Sequence, residues 1–498
     1  MKRYLEVLEK VLFFLFVFFI PTQLGKHFWP EWSYVMGIRV DYLSPTLYFL
    51  DLIWLGFFVS KILNSKFEIL NNFKISSFAK ATEDKQNLKL IKKRKTKKKK
   101  KKGIKNIKDV FLQFQRDPPK ADTLPRRRTP RNDMVRYLPL IGLVVVNVLM
   151  AKSWQVTVYG WFRVFQWIWT IKLIKQEKPK VKKFLKWVIP AWIVLESVLG
   201  LAQVVIGGSV GGVFYWLGER RFSYLTLGVA KFSLFREMMV RAYGTFSHPN
   251  SMAGFLLVVL LLWGLIRKRD LWWWIVCWIG VMGIVVSGSR TVWMIGLLII
   301  LINNPIINLK FKIKISKKEE RGILKRVQND VGRWLVAVGV MMMVLGLIGK
   351  GEVLGGWDRE SFSKRWELNK HALEMIRDNT WFGVGLGNFL VELPKYQKGS
   401  RVFWLQPVHN IPLLLISELG IIGVLICVKM VSVLWGWDNS GRPQGSPLQK
   451  FQNDRMNLLL VFVVVLLTGM VDHYWITLSQ NWWLVAIVLG TLLRKSKI

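Results

Sequence analysis

The sequence predicts an all-α fold: a polytopic transmembrane bundle of about twelve helices, with a long external loop that contains an amphipathic helix. Of the 498 residues, 52% are hydrophobic, and the apolar runs repeat at the length that spans a bilayer. The loops between these runs carry much of a formal net charge of +42. Because backbone inside a membrane must satisfy its own hydrogen bonds, apolar runs of this length are interpreted as helices.

The predicted helices follow one another along the whole chain. Their approximate bounds are residues 8–25, 45–63, 136–151, 154–174, 184–206, 249–266, 270–287, 289–305, 334–349, 410–432, 456–476 and 479–494. The first apolar run leads into Pro21-Thr22-Gln23 without the small-residue pattern of a cleavage site, so it is interpreted as a retained helix. Cys277 and Cys427 both fall inside apolar runs, which argues against a disulfide framework or a Cys/His metal cluster.

The basic loops orient the predicted bundle. With this number of helices, all of the strongly basic segments fall on one side of the membrane. Cytoplasmic loops carry an excess of Lys and Arg, so that side, with both termini, is predicted to be cytoplasmic. Every polar cluster of chemical interest is then external.

The chain is predicted to divide into five parts. They are helices 1–2 in residues 1–63, a basic cytoplasmic insertion in 64–135, helices 3–9 in 136–349, an external loop domain in 350–409, and helices 10–12 in 410–498. The insertion is expected to be disordered and to contact anionic lipid headgroups, since its like charges repel and it can bury little apolar surface. It has no interleaved aromatics or recognisable module, so specific nucleic-acid binding is not expected.

Two polar clusters stand at the two ends of a hydrophobic hairpin. Arg241, His248 and Asn250 precede or open the sixth helix, where Pro249 suits the first turn. The alternative interpretation is an ordinary helix entry with solvated polar residues. The second cluster lies in a turn at the outer end of the hairpin. The residues of the two clusters that could contact a substrate are Arg241, His248, Asn250, Ser287, Ser289 and Arg290.

Arg290 is the strongest candidate for anion binding. A guanidinium group beside small hydroxyl residues and a helix N-terminus suits a phosphate, because the planar fork and the exposed N–H groups both favour an anion. An interfacial Arg whose charge reaches the headgroups is the alternative. His409 and Asn410 open the tenth helix on the same predicted face, where a neutral imidazole could accept a proton from a hydroxyl or orient it.

Other ionisable residues could line the same cavity. Asp472 and His473 lie at the outer end of the eleventh helix and could line this cavity. The alternative is that they only mark the membrane interface of that helix, together with the aromatic residues that follow. In the external loop, an amphipathic helix over residues 361–377 is predicted to present Phe362, Trp366, Leu373 and Ile376 to the membrane or over a cavity, with Arg365 at the edge of that face. A helical cap without a catalytic part is the alternative.

Two charged residues are predicted to lie deep in the bundle. Arg163 in the fourth helix and Glu196 in the fifth are at similar depth, and unpaired charges there are costly. They are therefore expected to form an ion pair with a structural role.

Four motifs together resemble the bacterial O-antigen ligase and O-antigen polymerase-like membrane glycosyltransferases. The motifs are Gly244-Thr-Phe-Ser-His-Pro-Asn250, Ser287-Gly-Ser-Arg-Thr-Val-Trp293, Gly383-Val-Gly-Leu-Gly-Asn388, and His409-Asn410 with Glu418-Leu-Gly-Ile-Ile-Gly423. Each alone is weak, but their order and spacing are fairly specific. The resemblance covers most of residues 200–430, and the basic insertion departs from the usual pattern of the family.

The resemblance implies a multi-pass protein of the cytoplasmic (inner) membrane that acts in polysaccharide biosynthesis for the cell envelope. It implies transfer of a glycan from an undecaprenyl diphosphate carrier at the outer face, without a cofactor or metal ion. Arg241 and Arg290 would bind the donor diphosphate and stabilise it as leaving group, while His409 would orient or deprotonate the acceptor hydroxyl. The acceptor, whether lipid, protein or glycan, stays open.

The sequence leaves three alternatives to a ligase. Polymerisation of lipid-linked repeat units shares the donor chemistry, so the external motifs do not separate it from ligation. A transporter or flippase is a different class, for which polar groups near the midplane and broken helices in two related halves would be expected. A non-catalytic envelope scaffold is the third.

Overall fold

The structure is a computed structural model that describes residues 2–65, 130–234, 237–267, 270–302, 359–398, 405–435 and 460–492. Most of these residues are helical. The helices are α1 Lys2–Phe18, α2 49–65, α3 Pro130–Met150, α4 Trp154–Gln176, α5 Lys178–Ile206, α6 Val213–Trp216, α7 Pro249–Ile266, α8 Leu271–Val286, α9 Arg290–Ile302, α10 Arg359–Asp378, α11 Phe389–Tyr396, α12 Ile411–Trp435, α13 460–469, α14 Tyr474–Thr477 and α15 Ser479–Leu492.

Three small antiparallel hairpins qualify the all-α prediction. Their strands are β1 Gly25–His27, β2 Tyr34–Val35, β3 Ile38–Arg39, β4 Thr46–Tyr48, β5 Lys231–Leu234 and β6 Glu237–Val240, paired β1 with β4, β2 with β3, and β5 with β6. Five of them lie in segments that the sequence predicts to be external loops, whereas β4 occupies the start of the predicted helix 45–63, where the helix prediction is wrong. Backbone in such segments still needs hydrogen-bond partners, and pairing two short extended stretches supplies them.

Every predicted helix except one overlaps a helix in the described part of the chain. The exception, 334–349, lies outside the described residues, as does most of the insertion 64–135, so the count of twelve stays a prediction. Among the described residues, three helical stretches can cross a membrane by length and composition: Lys180–Ile206, Pro249–Ile266 and Ile411–Val431.

The described residues form two units. One comprises Met1–Phe13 with Ile53–Leu138, where Lys61 Nζ lies 2.7 Å from Glu9 Oε1. The other comprises Phe14–Leu52 with Pro139–Ile498 and contains every candidate site residue. In this second unit α5 packs along α7 and α8, and α15 packs along α4. Trp192, Trp263 and Trp483 are among its fully buried side chains.

A break in α12 receives the glycine-rich motif that follows α10. The helix is interrupted at Gly420, with φ 66° and ψ 176°. Val384 N–H donates to Ser417 O (2.9 Å) and Gly385 N–H to Glu418 O (3.0 Å), while Ile421 N–H donates to Thr380 O (2.9 Å). A broken apolar helix is stable where neighbouring groups bond the freed backbone in this way.

Two asparagines fasten the same glycine-rich motif to α3 and α4. Asn147 Nδ2 donates to Glu418 O (2.9 Å), and its Oδ1 accepts from Leu386 N–H (2.9 Å). Asn388 Oδ1 accepts from Ser153 N–H (2.7 Å), and its Nδ2 donates to Thr157 Oγ1 (2.7 Å). Two of the four sequence motifs therefore pack against each other as one polar-lined joint.

The amphipathic helix is present as α10, and the apolar face expected to lie on the membrane or over a cavity stays a prediction, because the helix packs on the protein through another face. Leu368, Ala372 and Met375 are fully buried, whereas Trp366 and Leu373 of the predicted face are exposed. The helix carries two apolar stripes, and only one of them packs on the protein. The sequence pattern indicated the stripe that contains Trp366 and Leu373, and only the packing identifies the second stripe.

The expected ion pair between Arg163 and Glu196 is wrong as well. Arg163 forms its ion pair with Asp51 of α2, and it also donates to Gln166 Oε1 (3.0 Å). Asp51 in turn accepts from Tyr48 N–H at 2.9 Å. The two acids lie in different helices, and depth in the sequence pattern does not say which helix is the lateral neighbour of α4.

Gly383→Ala should destabilise the protein. The new β-carbon would lie 2.4 Å from the backbone carbonyl carbon of Glu418, at a residue whose φ is +67°. Gly211→Ala is the matched control, since its φ is +76° but nothing lies within 4 Å of the new carbon. Left-handed strain alone costs about 1–2 kcal/mol, so Gly383→Ala should lower the thermal unfolding midpoint in detergent by more than Gly211→Ala does. Equal shifts would contradict the proposed packing of the joint.

Candidate active site

The backbone of residues 243–245 is fixed by buried side chains from two helices. In α5, Gln203 Oε1 accepts from Tyr243 N–H (3.0 Å) and Gly244 N–H (2.8 Å), and Glu196 Oε2 accepts from Thr245 N–H (2.9 Å). In α15, Gln480 Nε2 donates to Thr245 O (3.0 Å). Gly244 has φ +58°, and a β-carbon there would lie 2.3 Å from Glu196 Oε2. Glu196 thus shapes this loop, which explains why it does not pair with Arg163.

Arg241 joins the two polar clusters at the ends of the helical hairpin. Its Nε donates to Ser287 O (2.6 Å), and its Nη2 donates to Asn250 Oδ1 (2.7 Å). The adjacent backbone makes the same connection, since Ala242 N–H donates to Val286 O (3.1 Å). Residues that precede α7 are therefore held directly against the turn between α8 and α9.

Asn250 extends this connection to Asp472. Its Nδ2 donates to Asp472 Oδ2 (3.0 Å) from the first turn of α7. His248, the residue before α7, accepts the Asn250 N–H at its Nδ1 (3.2 Å). Because Nδ1 accepts this bond, it carries no proton, and Nε2 of His248 takes no part in the bond. Arg241, Asn250 and Asp472 form one hydrogen-bonded chain across three segments.

Asp472 lies among imidazole rings. His409 Nδ1 is 3.7 Å from Asp472 Oδ1, which is an electrostatic contact beyond hydrogen-bond length. Among the described residues that nitrogen has no hydrogen-bond partner. The His409 and His473 ring centroids are 5.0 Å apart. Asp472 Oδ1 also accepts the His473 backbone N–H at 2.8 Å, which fixes the carboxylate in place.

The protonation states of these groups follow from burial and their neighbours. Burial alone would raise the pKa of the Asp472 carboxyl, but the adjacent His409 imidazole holds it well below its usual range. Burial lowers the pKa of His473 to about 3, so that ring is neutral at pH 7. His248 is solvent-accessible, yet surrounding protein and the charge of Arg241 lower its pKa. Asp472 is therefore an ionised carboxylate beside neutral His473.

Three guanidinium groups converge on this region. Burial lowers the pKa of Arg241 to about 10, and the charges of Arg290 and Arg365 contribute to that lowering. Arg241 nevertheless stays charged at pH 7. Arg290 is exposed at the start of α9, and Arg365 of α10 also lowers the pKa of His248. We call Arg241, Arg290 and Arg365 the arginine cluster; together they exceed the single charge of Asp472.

Two of the predicted site residues, Ser287 and Asn410, make side-chain hydrogen bonds to the local backbone. Ser287 and Ser289 are buried, and the Ser287 hydroxyl donates to Ile284 O at 2.6 Å. Both serines are buried in the turn, and the Ser287 carbonyl accepts a hydrogen bond from Arg241 Nε. Asn410 Oδ1 accepts from Leu413 N–H (3.0 Å), and its Nδ2 donates to Met470 O (3.1 Å). It caps α12 and fastens that helix to the segment before Asp472, which positions His409.

The described residues offer one candidate metal-binding group. His409, Asp472 and His473 each present one ligand atom, and these atoms lie within 4.8 Å of one another. Imidazole nitrogen with carboxylate oxygen is a donor set that suits zinc and related ions. The expectation of no metal therefore stays a prediction.

Sequence reasoning missed Tyr42 as a neighbour of the site. Its ring meets the His473 ring edge-on, with centroids 5.6 Å apart. Tyr42 lies in the segment between β3 and β4, more than four hundred residues from His473 along the chain. An isolated Tyr in a loop gives no periodic or motif signal, so only tertiary structure identifies it.

Residues 238–428 match the family model described as O-antigen ligase. No curated protein matches the chain. The match confirms the resemblance found in the sequence over this stretch, which contains Arg241, Arg290, Arg365 and His409. It supports a membrane protein of the glycan-transfer family of ligases and polymerases, in agreement with the apolar helices. Asp472 and His473 lie beyond the matched stretch, and the structure brings them to the same region.

Proposed function

We propose that this protein transfers a glycan from an undecaprenyl diphosphate carrier to a hydroxyl group of a surface acceptor. The observation that carries the proposal is the hydrogen-bonded chain from Arg241 through Asn250 to Asp472, which connects the arginine cluster to His409. An anion-binding group next to a positioned imidazole is what this reaction requires. The leaving group is a diphosphate and the nucleophile is a hydroxyl that must lose a proton.

The arginine cluster acts on the donor. Arg241 and Arg290 bind the diphosphate oxygens, and Arg365 adds positive charge to the same region. As the bond between the anomeric carbon and the diphosphate oxygen breaks, negative charge grows on the leaving group. Fixed cations in a site shielded from water stabilise that charge more than they stabilise the donor itself. Arg241 is preorganised for this by its bonds to Ser287 O and Asn250.

His409 acts on the acceptor. Its Nδ1 faces Asp472 at 3.7 Å, so Nε2 is the nitrogen available to the acceptor hydroxyl. That hydroxyl attacks the anomeric carbon while its proton passes to Nε2, and the ionised Asp472 stabilises the imidazolium that forms. Catalytic contacts of this kind are often long in an empty enzyme and shorten when substrate binds.

The proposed setting is the outer face of the cytoplasmic membrane. The protein would be multi-pass with both termini cytoplasmic, as the basic loops predict. Polymerisation of repeat units stays the nearest rival, because it uses the same donor chemistry. A transporter is less well supported: Arg163 is paired with Asp51, and the break at Gly420 is filled by the glycine-rich motif, so neither feature opens a midplane binding site.

Arg290→Ala and His409→Ala should each abolish transfer in membranes supplied with a lipid-linked donor. Loss of a positioned acid or base costs about a hundredfold to ten-thousandfold in rate, and loss of a transition-state charge partner about a hundredfold to a thousandfold. Matched controls are Arg267→Ala, whose ion pair with Asp270 lies at the far end of the α7–α8 hairpin, and His371→Gln in α10.

The readout in cells separates the two reactions. Cells that carry His409→Ala should accumulate full-length lipid-linked polymer if the protein is a ligase, and single lipid-linked repeat units if it is a polymerase. Retained transfer in either site variant contradicts the assigned roles, as does an equal loss in the Arg267 and His371 controls.

Transfer should not need a divalent metal ion. The proposed mechanism takes the charge that neutralises the diphosphate from guanidinium groups, which need no ion to bridge them to phosphate. Activity of purified protein in vesicles should therefore survive dialysis against EDTA. If EDTA removed activity and zinc or magnesium restored it, the group His409, Asp472 and His473 would have to be reassigned as a metal centre.

A further inference from the structure

The segment of residues 207–240 lies at the membrane surface by its position in the chain. It begins where the candidate span Lys180–Ile206 ends, and it leads through Arg241 to the candidate span Pro249–Ile266. It is therefore on the same side of the membrane as the arginine cluster. Arg220 Nη1 donates to Ser247 O (3.3 Å), which fastens the segment to the loop before α7.

Within this segment, residues 223–229 form a well-ordered turn. Ser223 N–H donates to Thr226 Oγ1 (2.9 Å), and Thr226 N–H donates to Ser223 O (3.0 Å). Phe222 and Val229, on either side of the turn, are buried together with Val240 and Tyr243. The turn is thus held in one conformation by hydrogen bonds within it and a small core beneath it.

This ordered turn presents leucines outward. Leu225 is 85% exposed and Leu227 is 97% exposed. Nearby in sequence, Val213 and Trp216 of the short helix α6 are 73% and 70% exposed. Single exposed apolar side chains are common on protein surfaces, but a hydrogen-bonded turn that projects two leucines, in a segment that also exposes a Trp, is typical of a surface with an apolar partner.

Basic and aromatic residues surround these apolar side chains. Lys231 Nζ lies 3.9 Å from the centroid of the Tyr224 ring, and the Arg221 guanidinium carbon lies 4.9 Å from that of Tyr215. Of the two acidic residues in the segment 207–240, Glu219 is buried and accepts N–H bonds from Val210 (2.8 Å) and Gly211 (2.7 Å). The segment carries four basic residues against these two acidic ones, so its net charge is positive.

We propose that the 223–229 turn, together with Val213 and Trp216, inserts into the lipid leaflet on the side of the arginine cluster. Apolar residues enter the acyl boundary, aromatic residues lie at headgroup level, and Arg221 and Lys231 contact anionic headgroups. Strand β6 runs from this anchored segment directly into Arg241. The leaflet contact thereby sets the height of the arginine cluster at the level where a lipid diphosphate lies. Insertion itself does not depend on the reaction proposed above.

The test places an environment-sensitive fluorophore on a single cysteine in the full chain. Cys277 and Cys427 are replaced by Ala, and Leu227→Cys is labelled and reconstituted in vesicles of neutral and anionic phospholipid. The matched control is Asp378→Cys, because Asp378 is half-exposed and pairs with Lys395 (3.4 Å), as expected of a residue in water. The label at residue 227 should emit at shorter wavelength than the control and be quenched by lipids that carry a spin label near the headgroup.

A second variant links the signal to the leucine turn. Adding Leu225→Glu should move the emission of the label at residue 227 towards that of the control, whereas Leu225→Met should not. Leu225 and Leu227 are both exposed, so neither substitution at Leu225 should alter the unfolding midpoint of the labelled protein. If the label at residue 227 is quenched by aqueous iodide as strongly as the control and ignores the lipid quencher, the turn faces water and the proposal is overturned. That result would point to a protein partner instead.

Discussion

The candidate site depends on the two hydrogen bonds of Arg241. The first bond, from the Arg241 side chain to Ser287 O, joins residues that are 46 positions apart, at the two ends of the α7–α8 hairpin. The second bond, to Asn250, continues to Asp472, which comes from the C-terminal part of the chain. Without Arg241, the turn before α9 and the entry to α7 would lose their shared contact. Arg290 and His409 are placed relative to each other through this connection.

Electrostatics explains why such a connection is needed. Gathering Arg241, Arg290 and Arg365 in a partly buried region is unfavourable unless something negative lies among them, and Asp472 supplies a single charge. Three guanidinium groups in one region raise its positive potential, which favours an incoming anion. The same carboxylate faces His409, so one residue serves both the region that attracts a diphosphate and the imidazole that can accept a proton.

Much of this arrangement could be predicted from the sequence. Helix positions followed from apolar length, and Arg241, His248, Arg290, His409 and Asp472 were expected together because the basic loops assign them to one face. What failed has a common cause. The partner of Arg163, the buried stripe of α10 and the neighbour Tyr42 all depend on lateral contacts, which periodicity and topology do not encode. The break at Gly420 was hidden because the glycine lies within a largely apolar run of helix length.

The central claim is that the arginine cluster binds a lipid diphosphate while His409 performs chemistry on the acceptor. Affinity for a polyprenyl diphosphate without sugar, measured on the purified protein in detergent micelles, tests it most directly. The account predicts that Arg290→Ala weakens this affinity by about tenfold or more, corresponding to about 1.4 kcal/mol or more, and that His409→Ala leaves it unchanged. Equal weakening by both substitutions, or by neither, would contradict the division of roles between the two residues.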